Sequence, residues 1–262
     1  MHRYFITLAY KGSNYHGWQK QKNSISVQQI LEERISLKLR EKIELTGAGR
    51  TDTGVHASFY VAHFDLNKKI SEKQMLINSI NSFLPNDIKI YDIKEVTSNA
   101  HARYSALSRT YHYFFTTLHT PFLNDYVWHI NFLPDLNLLQ EALNFLLGKH
   151  DFEAFSKKDK SAKTSVCNIF EAKVQRTYFG FYIKIKADRF LRNMVRAIVG
   201  TIYEIAKKEL KANHIIKVLE SKDRSQAASS APAQGLFFTN VEYPDNIFLE
   251  EKITPIKNFL LL

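Results

Sequence analysis

Strand-like and helix-like patterns follow one another along this chain at irregular intervals, and this order constrains the fold more than any other feature. Alternating or aromatic-rich stretches predict strands at residues 3–10, 43–45, 58–64, 88–96, 109–116, 166–176 and 178–187. Apolar residues at helical spacing predict helices at residues 27–39, 71–83, 135–147, 190–208 and 212–220. A regular strand–helix repeat is typical of a doubly wound sheet, whereas this irregular order predicts an α+β protein.

Local capping signals sharpen the boundaries of two of these helices. Ser26 followed by Gln29 forms a capping-box pattern, which predicts that the first helix begins directly after Ser26. Gly148 predicts the C-terminal end of the helix at residues 135–147. A division near residues 97–108 predicts two halves, residues 1–103 and residues 104–262, and no convincing repeat relates one half to the other.

The charge balance indicates the kind of partner. Lysine and arginine total 36 against 26 for aspartate and glutamate, a formal net charge of +10. Such an excess attracts polyanions such as RNA, DNA or anionic lipid, although a basic solvated surface is the ordinary alternative. The single cysteine, Cys167, excludes an intrachain disulfide and a four-cysteine zinc site, and it fits a reducing cytoplasm.

The ends of the chain carry little targeting information. The first residues lack the long apolar region of a signal peptide, and no run of 18 apolar residues predicts a membrane span. The apolar C-terminal residues 259–262 are too short to anchor the protein in a bilayer. We expect them to pack on the body of the protein or on a partner chain.

The densest concentration of chemically useful residues lies between Gly47 and Ala57. Three glycines within eight residues surround Arg50 and Asp52, and His56 follows. The spacing matches neither the dinucleotide fingerprint nor a phosphate-binding loop, so no nucleotide cofactor is predicted. Two alternatives stay open: a metal site made of Asp52, His56 and His63, or a turn that Arg50 and Asp52 merely brace.

Residues 49–57 resemble the signature of the TruA family of tRNA pseudouridine synthases. Further blocks of that family occur in the same order along the chain, from Tyr10 to about Phe238. They are Tyr15–Gln19 with Val27 and Gln28, His101–Ala106, Arg109–Tyr113, His150–Phe152 with Phe155, Phe190–Arg196 with Gly200, and Ala231–Leu236. One short motif arises easily by chance, but several in register are strong evidence of a resemblance.

The resemblance implies a fold, a reaction and partners. The fold is α+β, with two pseudo-equivalent α/β halves that share a central, mainly antiparallel sheet and an active-site cleft between them. The reaction converts uridine to its C-glycoside isomer in the anticodon stem-loop of tRNA, at positions 38–40, without a cofactor or a metal. The resemblance also implies tRNA as the partner and a homodimer, and these agree with the cytoplasmic location and the lack of membrane association expected from the single cysteine and the apolar pattern.

The resemblance further implies roles for individual residues. Asp52 matches the essential aspartate, which acts as a nucleophile or stabilises the detached sugar. Tyr111 matches a tyrosine that stacks on the uracil and helps to remove the C5 proton, and Leu236 matches a leucine on the other face of the base. Arg50 matches the residue that fills the space left by the extruded nucleotide, and Arg196 matches the cation that pairs with the catalytic carboxylate.

The spacing of Arg189, Arg192 and Arg196, three and then four residues apart, places them along one helix face. A cationic stripe on a packed helix suits RNA phosphates, and we expect Arg189 and Arg192 to contact tRNA. The ordinary alternative is a solvated helix face.

Three other interpretations compete with this one. Tyr111 belongs to an aromatic row on one strand face with Tyr113 and Phe115, and such a row is usually core. A non-catalytic RNA-binding module explains the charge, but it does not explain Asp52, since a carboxylate repels phosphate. A hydrolase that cuts the N-glycosidic bond would use the same carboxylate with an activated water.

Overall fold

The computed structural model of the chain describes residues 1–157 and 164–254, and the elements in those ranges confirm the predicted α+β class. Ten strands lie there: β1 (His2–Tyr10), β2 (Thr46–Gly47), β3 (His56–Leu66), β4 (Ile88–Val96), β5 (Ser108–Thr116), β6 (Trp128–His129), β7 (Gly148–Asp151), β8 (Val166–Thr177), β9 (Gly180–Ala187) and β10 (Leu236–Glu242). Five α-helices lie there too: α1 (Val27–Leu39), α2 (Lys73–Asn81), α3 (Leu136–Asn144), α4 (Met194–Lys207) and α5 (His214–Ser221).

The described chain forms two units. Unit 1 consists of Met1–Leu107 and the segment that begins at Phe238, and unit 2 consists of Ser108–Phe237. In unit 1, β1 pairs antiparallel with β3 and β4, β2 pairs antiparallel with β3, and β10 is the next neighbour of β3. In unit 2, β9 pairs antiparallel with β5 and β8, β7 pairs antiparallel with β8, and the short β6 runs parallel to β5.

Helix α1 begins where the capping box predicts. The side-chain oxygen of Ser26 accepts a hydrogen bond from the backbone N–H of Gln29, which satisfies one of the N–H groups that a helix start leaves without a partner. Val27, Leu31 and Ile35 are fully buried, so the apolar stripe of the sequence is the packed face of the helix.

Helix α4 forms the hydrophobic centre of unit 2. Its buried residues include Ala197, Ile198, Val199 and Ile202, and its Tyr203 ring packs on Trp128 with 4.6 Å between the ring centroids. No helix within the described ranges has both the length and the apolar character to cross a membrane. The apolar residues 259–262 lie outside the described residues, so their predicted packing stays a prediction.

The predicted strand at residues 43–45 is wrong. The backbone N–H of Ile43 donates to the Ser36 hydroxyl at 2.8 Å, and that of Leu45 donates to the Glu32 carboxylate at 2.9 Å. Side chains of α1 therefore satisfy this stretch in place of a neighbouring strand.

The predicted end of α3 is also wrong, because the helix stops at Asn144 and not at Leu147. The backbone N–H groups of Leu146 and Leu147 bond three residues back, to Leu143 and Asn144, so the chain tightens into turns there. Gly148 is the first residue of β7 and has a φ of 88°, so its conformational freedom serves the entry into that strand.

Candidate active site

The loop that carries Asp52 connects two strands of unit 1, β2 and β3. Before it, Thr46 and Gly47 pair with His63 and Ala62 of β3, and after it the chain enters β3 at His56. Inside the loop, the backbone N–H of Val55 donates to the carbonyl of Asp52 at 3.2 Å and closes a turn around the carboxylate residue. A catalytic group held in this way keeps its position because both ends of its loop are fixed to the sheet.

The block that follows β1 holds the same loop from the other side. The N–H of Trp18 donates to the carbonyl of Thr51 at 3.4 Å, and the N–H of Gly54 donates to the carbonyl of Tyr15 at 3.3 Å. Gly17 lies close against the loop: it has a φ of 84°, and a Cβ atom added there would lie 2.2 Å from the Thr51 carbonyl oxygen. Two sequence blocks more than 30 residues apart are thus joined through a position that requires glycine.

Burial separates the loop residues into anchors and presented groups. Thr51 is buried, and its hydroxyl lies 2.9 Å from the hydroxyl of Tyr10. Val55 is also buried, whereas Asp52 is half-buried and Arg50 is exposed. The loop therefore fixes its backbone through buried Thr51 and Val55, while Asp52 and Arg50 stay partly or fully exposed.

The two histidines considered for a metal site have structural contacts. His56 Nδ1 accepts the backbone N–H of Gly12 at 3.0 Å, and His63 Nδ1 accepts the backbone N–H of Ala102 at 3.1 Å. Burial and the nearby His101 and Arg3 lower the pKa of His63 to about 4. Across residues 1–157 and 164–254, no three His, Cys, Asp or Glu side chains are grouped as metal ligands.

Tyr111 lies on β5 opposite Ile185 of β9, at the accessible end of its aromatic row. It is 8% exposed, whereas Tyr113 and Phe115 are at most 1% exposed. Its ring meets the Phe190 ring edge-on, with 5.0 Å between centroids and an angle of 87°. The row belongs to the hydrophobic core, as the simpler interpretation predicted. Tyr111 is the most exposed of its three members.

Tyr113, two residues further along, has a structural role. Its hydroxyl donates to the carbonyl of Pro232 at 2.7 Å, and burial raises its pKa well above the usual tyrosine range, with Arg196 acting in the opposite direction. A Cβ atom added to Gly235 would lie 2.7 Å from the Tyr113 ring, so this position also requires glycine. Tyr113 therefore fixes the turn that leads into Leu236, which is 5% exposed at the start of β10.

Arg196 lies in the first turns of α4 and is bound to the same turn. Its Nε donates to the carbonyl of Ala231 at 2.8 Å, while the N–H of Ala231 donates to the carbonyl of Arg196 at 2.9 Å. The reciprocal pair orients the half-buried guanidinium and fastens the segment before Leu236 to the helix. Unit 2 therefore brings Arg196, Tyr113 and the turn before Leu236 together.

The predicted arginine stripe is wrong, because α4 begins at Met194 and not at Phe190. Asn193 has a left-handed φ of 67° and donates its side-chain N–H to the Ser230 hydroxyl at 2.6 Å, so the preceding residues cannot continue the helix. Arg189 and Arg192 therefore precede the helix and do not share a face with Arg196. Arg192 is exposed and Arg189 is half-buried. The backbone N–H of Arg189 donates to the Asp188 carboxylate at 2.7 Å.

Two positions of this site were not singled out from the sequence. Phe190 begins the family-like block at residues 190–196, but nothing in its spacing indicates that its ring packs against Tyr111. Asn193 carried a usable signal, since asparagine before an apolar helix is among the few residues that readily take left-handed backbone. Of the predicted site residues, Asp52 and Arg50 belong to unit 1, and Tyr111, Arg189, Arg192, Arg196 and Leu236 belong to unit 2.

Comparison with known proteins identifies the family. The sequence pattern of the family described as tRNA pseudouridine synthase matches residues 6–105 and 142–244. The chain is 44% identical to tRNA pseudouridine synthase A of Bacteroides thetaiotaomicron over 264 aligned residues, which cover 100% of this chain and 98% of the relative. It is 45% identical to that of Azobacteroides pseudotrichonymphae (95% of this chain, 99% of the relative) and 38% identical to that of Thermoanaerobacter sp. strain X514 (93% and 100%). The chain therefore belongs to the tRNA pseudouridine synthase family, a family of isomerases.

Proposed function

We propose that this protein isomerises uridine to pseudouridine in the anticodon stem-loop of tRNA, with Asp52 as the catalytic carboxylate and no cofactor. The observation that carries the proposal is the Asp52 loop itself. Its backbone is bonded to β3 at its ends and to residues 15–18 along its length, and Asp52 itself is half-buried. Membership of the family and the net charge of +10 support tRNA as the substrate.

The reaction needs a negative charge and no redox partner. The bond between uracil N1 and ribose C1′ breaks, the base rotates, and a new bond joins C5 to C1′. The proton on C5 is then lost to a base, and N1 ends the sequence protonated, so the product is an isomer of the substrate. Ionised Asp52 acts on either C1′ of the ribose or C6 of the uracil, and both routes use the carboxylate as the nucleophile.

The other site residues receive roles that fit their surroundings. Tyr111, held edge-on by Phe190, stacks on the uracil and takes part in removal of the C5 proton. Leu236 contacts the other face of the base, and its turn is fixed through Tyr113. Arg196 is the cation that pairs with the catalytic carboxylate, and exposed Arg50 fills the space that the extruded nucleotide leaves.

Further parts of the proposal concern the substrate body and the assembly. Arg189 and Arg192, which differ in exposure and lie outside α4, contact tRNA phosphates. The active protein is a cytoplasmic homodimer. Sedimentation of the purified protein across a concentration series measures the oligomeric state directly.

Incubation with tRNA transcribed in vitro tests the reaction. After digestion to nucleosides, we expect pseudouridine to appear at the expense of uridine. When the modified sites are mapped along the tRNA, we expect them in the anticodon stem-loop. Free uracil in the mixture would instead indicate hydrolysis of the N-glycosidic bond. Unchanged uridine with tight tRNA binding would indicate a non-catalytic binding protein.

A further inference from the structure

An exposed aromatic ring stands on a turn of unit 1 that none of the proposed catalytic roles uses. Tyr104 is 76% exposed, and the turn that carries it, residues 100–107, lies between β4 and β5. Single exposed aromatic residues are common on protein surfaces and need no function by themselves. The case for a function rests on how this turn is built.

The backbone of the turn is bonded to the body of unit 1 at four points. The carbonyl of Ala100 accepts from Arg3 at 2.9 Å, and the N–H of Ala102 donates to His63 Nδ1 at 3.1 Å. The carbonyl of Ala102 accepts from the hydroxyl of Tyr243 at 2.6 Å, and the N–H of Leu107 donates to the carbonyl of Glu242 at 2.8 Å. Ala100 and Ala102 are buried, so the turn is a fixed base and not a mobile loop.

A second set of bonds orients the residues at the tip. His101 Nδ1 accepts the backbone N–H groups of Arg103 and Tyr104 at 3.0 and 3.2 Å, and the Ser105 hydroxyl accepts the N–H of His101 at 2.9 Å. Burial, Arg3 and Arg103 lower the pKa of His101, which favours the neutral ring that these acceptor bonds require. The backbone that presents Tyr104 is thus ordered before any ligand binds.

The Tyr104 ring has neighbours that suit RNA. It packs against the His101 ring with 4.4 Å between centroids, and the Arg103 guanidinium carbon lies 5.6 Å from its centroid. Aromatic rings and arginine planes are the groups on which proteins stack unpaired RNA bases, and a nearby cation offsets the charge of the phosphate. Because this backbone is already ordered, binding of a base costs little further conformational entropy, which favours affinity.

We infer that Tyr104, with Arg103 beside it, is a stacking platform for an unpaired base of the tRNA substrate, separate from the base that reacts at Asp52. The inference rests on the proposed function for the identity of the RNA. The platform contributes to tRNA binding and not to the chemical step. Its removal therefore raises the Kd and the KM for tRNA and leaves kcat at saturating tRNA unchanged.

Equilibrium binding and steady-state kinetics with unmodified tRNA transcript test this inference at one fixed salt concentration. Loss of one base–aromatic stack, worth about 1–3 kcal/mol, predicts that Tyr104→Ala weakens binding roughly 5- to 160-fold. Tyr104→Phe keeps the ring and is expected to bind like the parent protein. Tyr178→Ala removes another exposed tyrosine, at the turn between β8 and β9, and is expected to change neither the Kd nor the KM.

Several results would overturn the platform. One is parental affinity in Tyr104→Ala, and another is an equal loss in Tyr104→Phe or in Tyr178→Ala. A change in self-association of Tyr104→Ala, with tRNA affinity intact, would assign the ring to a protein interface instead. Because binding is measured apart from product formation, a protein that binds tRNA through Tyr104 but makes no pseudouridine refutes the proposed function and leaves the platform standing.

Discussion

Gly17→Ala is the substitution that most directly probes how the Asp52 loop is held. The new methyl carbon would lie 2.2 Å from the Thr51 carbonyl oxygen, whereas ordinary contact begins at 3.4 Å, so one backbone must move by about 1 Å. The neighbouring atom is main chain, which has no rotamer with which to escape. Thr51 precedes Asp52, and a catalytic group displaced by about 1 Å loses roughly 10²-fold in rate.

The same substitution also carries a conformational cost. Residue 17 has a φ of 84°, and an L-residue in left-handed backbone costs about 1–2 kcal/mol relative to right-handed backbone. For a protein of this size, that cost corresponds to a decrease in Tm of roughly 2–8 °C. Single-turnover pseudouridine formation and thermal unfolding measure the two effects on one preparation.

Gly49→Ala is the matched control within the loop. An added Cβ atom at residue 49 meets only Phe238, at 3.9 Å, so no backbone must move. The Tm of Gly49→Ala is expected to stay at the parental value or to rise slightly, because alanine gives the unfolded chain fewer accessible conformations than glycine does. A Gly17→Ala variant with parental Tm and parental single-turnover rate would refute the reasoning that residue 17 positions Asp52.

Three further predictions concern Tyr111, Tyr113 and His63. Tyr111→Phe keeps the stacking ring and loses the hydroxyl, so single-turnover pseudouridine formation is expected to slow. Equal rates in Tyr111→Phe and the parent would remove the proton-transfer role. Tyr113→Phe leaves the Pro232 carbonyl without its hydrogen-bond donor, so the variant is expected to lose about 1–3 kcal/mol of unfolding free energy in denaturant titration. The pKa of His63 is lowered to about 4 in the folded protein from the usual 6.5, so its neutral form contributes stability above pH 6.5 that is lost as the pH falls towards 4. His63→Gln is expected to flatten the pH dependence of stability in that window, and an unchanged profile would contradict the assignment.

Periodic patterns predicted most of the fold because they record which face of an element is buried. The predicted strands at residues 3–10, 88–96 and 109–116 end within a residue of β1, β4 and β5. Helix α1 was predicted at both ends, since Ser26 caps it through a contact only three residues away. Such information is local, and the sequence therefore contains it.

The errors arise where contacts between distant residues decide the backbone. The N-terminal end of α4 depends on a bond between Asn193 and Ser230, 37 residues apart. The absence of a strand at residues 43–45 depends on side chains of α1. Neither contact leaves a periodic trace in the sequence. The glycines and the charged residues between Gly47 and Ala57 indicated the Asp52 loop, but they gave no indication that Gly17 fastens it.

The candidate site divides in the same way. The glycines and the charged residues of the loop indicated chemistry at Asp52, and the family resemblance indicated Tyr111, Leu236 and Arg196. The supports of these residues were invisible: Phe190 beside Tyr111, the Tyr113–Pro232 bond, and the reciprocal pair of Arg196 and Ala231. Each support joins residues that are far apart in the chain, so only the folded structure reveals it.

Asp52→Asn gives the most direct test of the central claim, because the amide keeps the shape of the side chain and removes its charge. The measurement is single-turnover conversion of uridine in tRNA transcript, with tRNA binding measured on the same preparation. The account predicts no detectable pseudouridine at near-parental tRNA affinity. Pseudouridine formed by the variant at a rate close to that of the parent would contradict a catalytic role for this carboxylate.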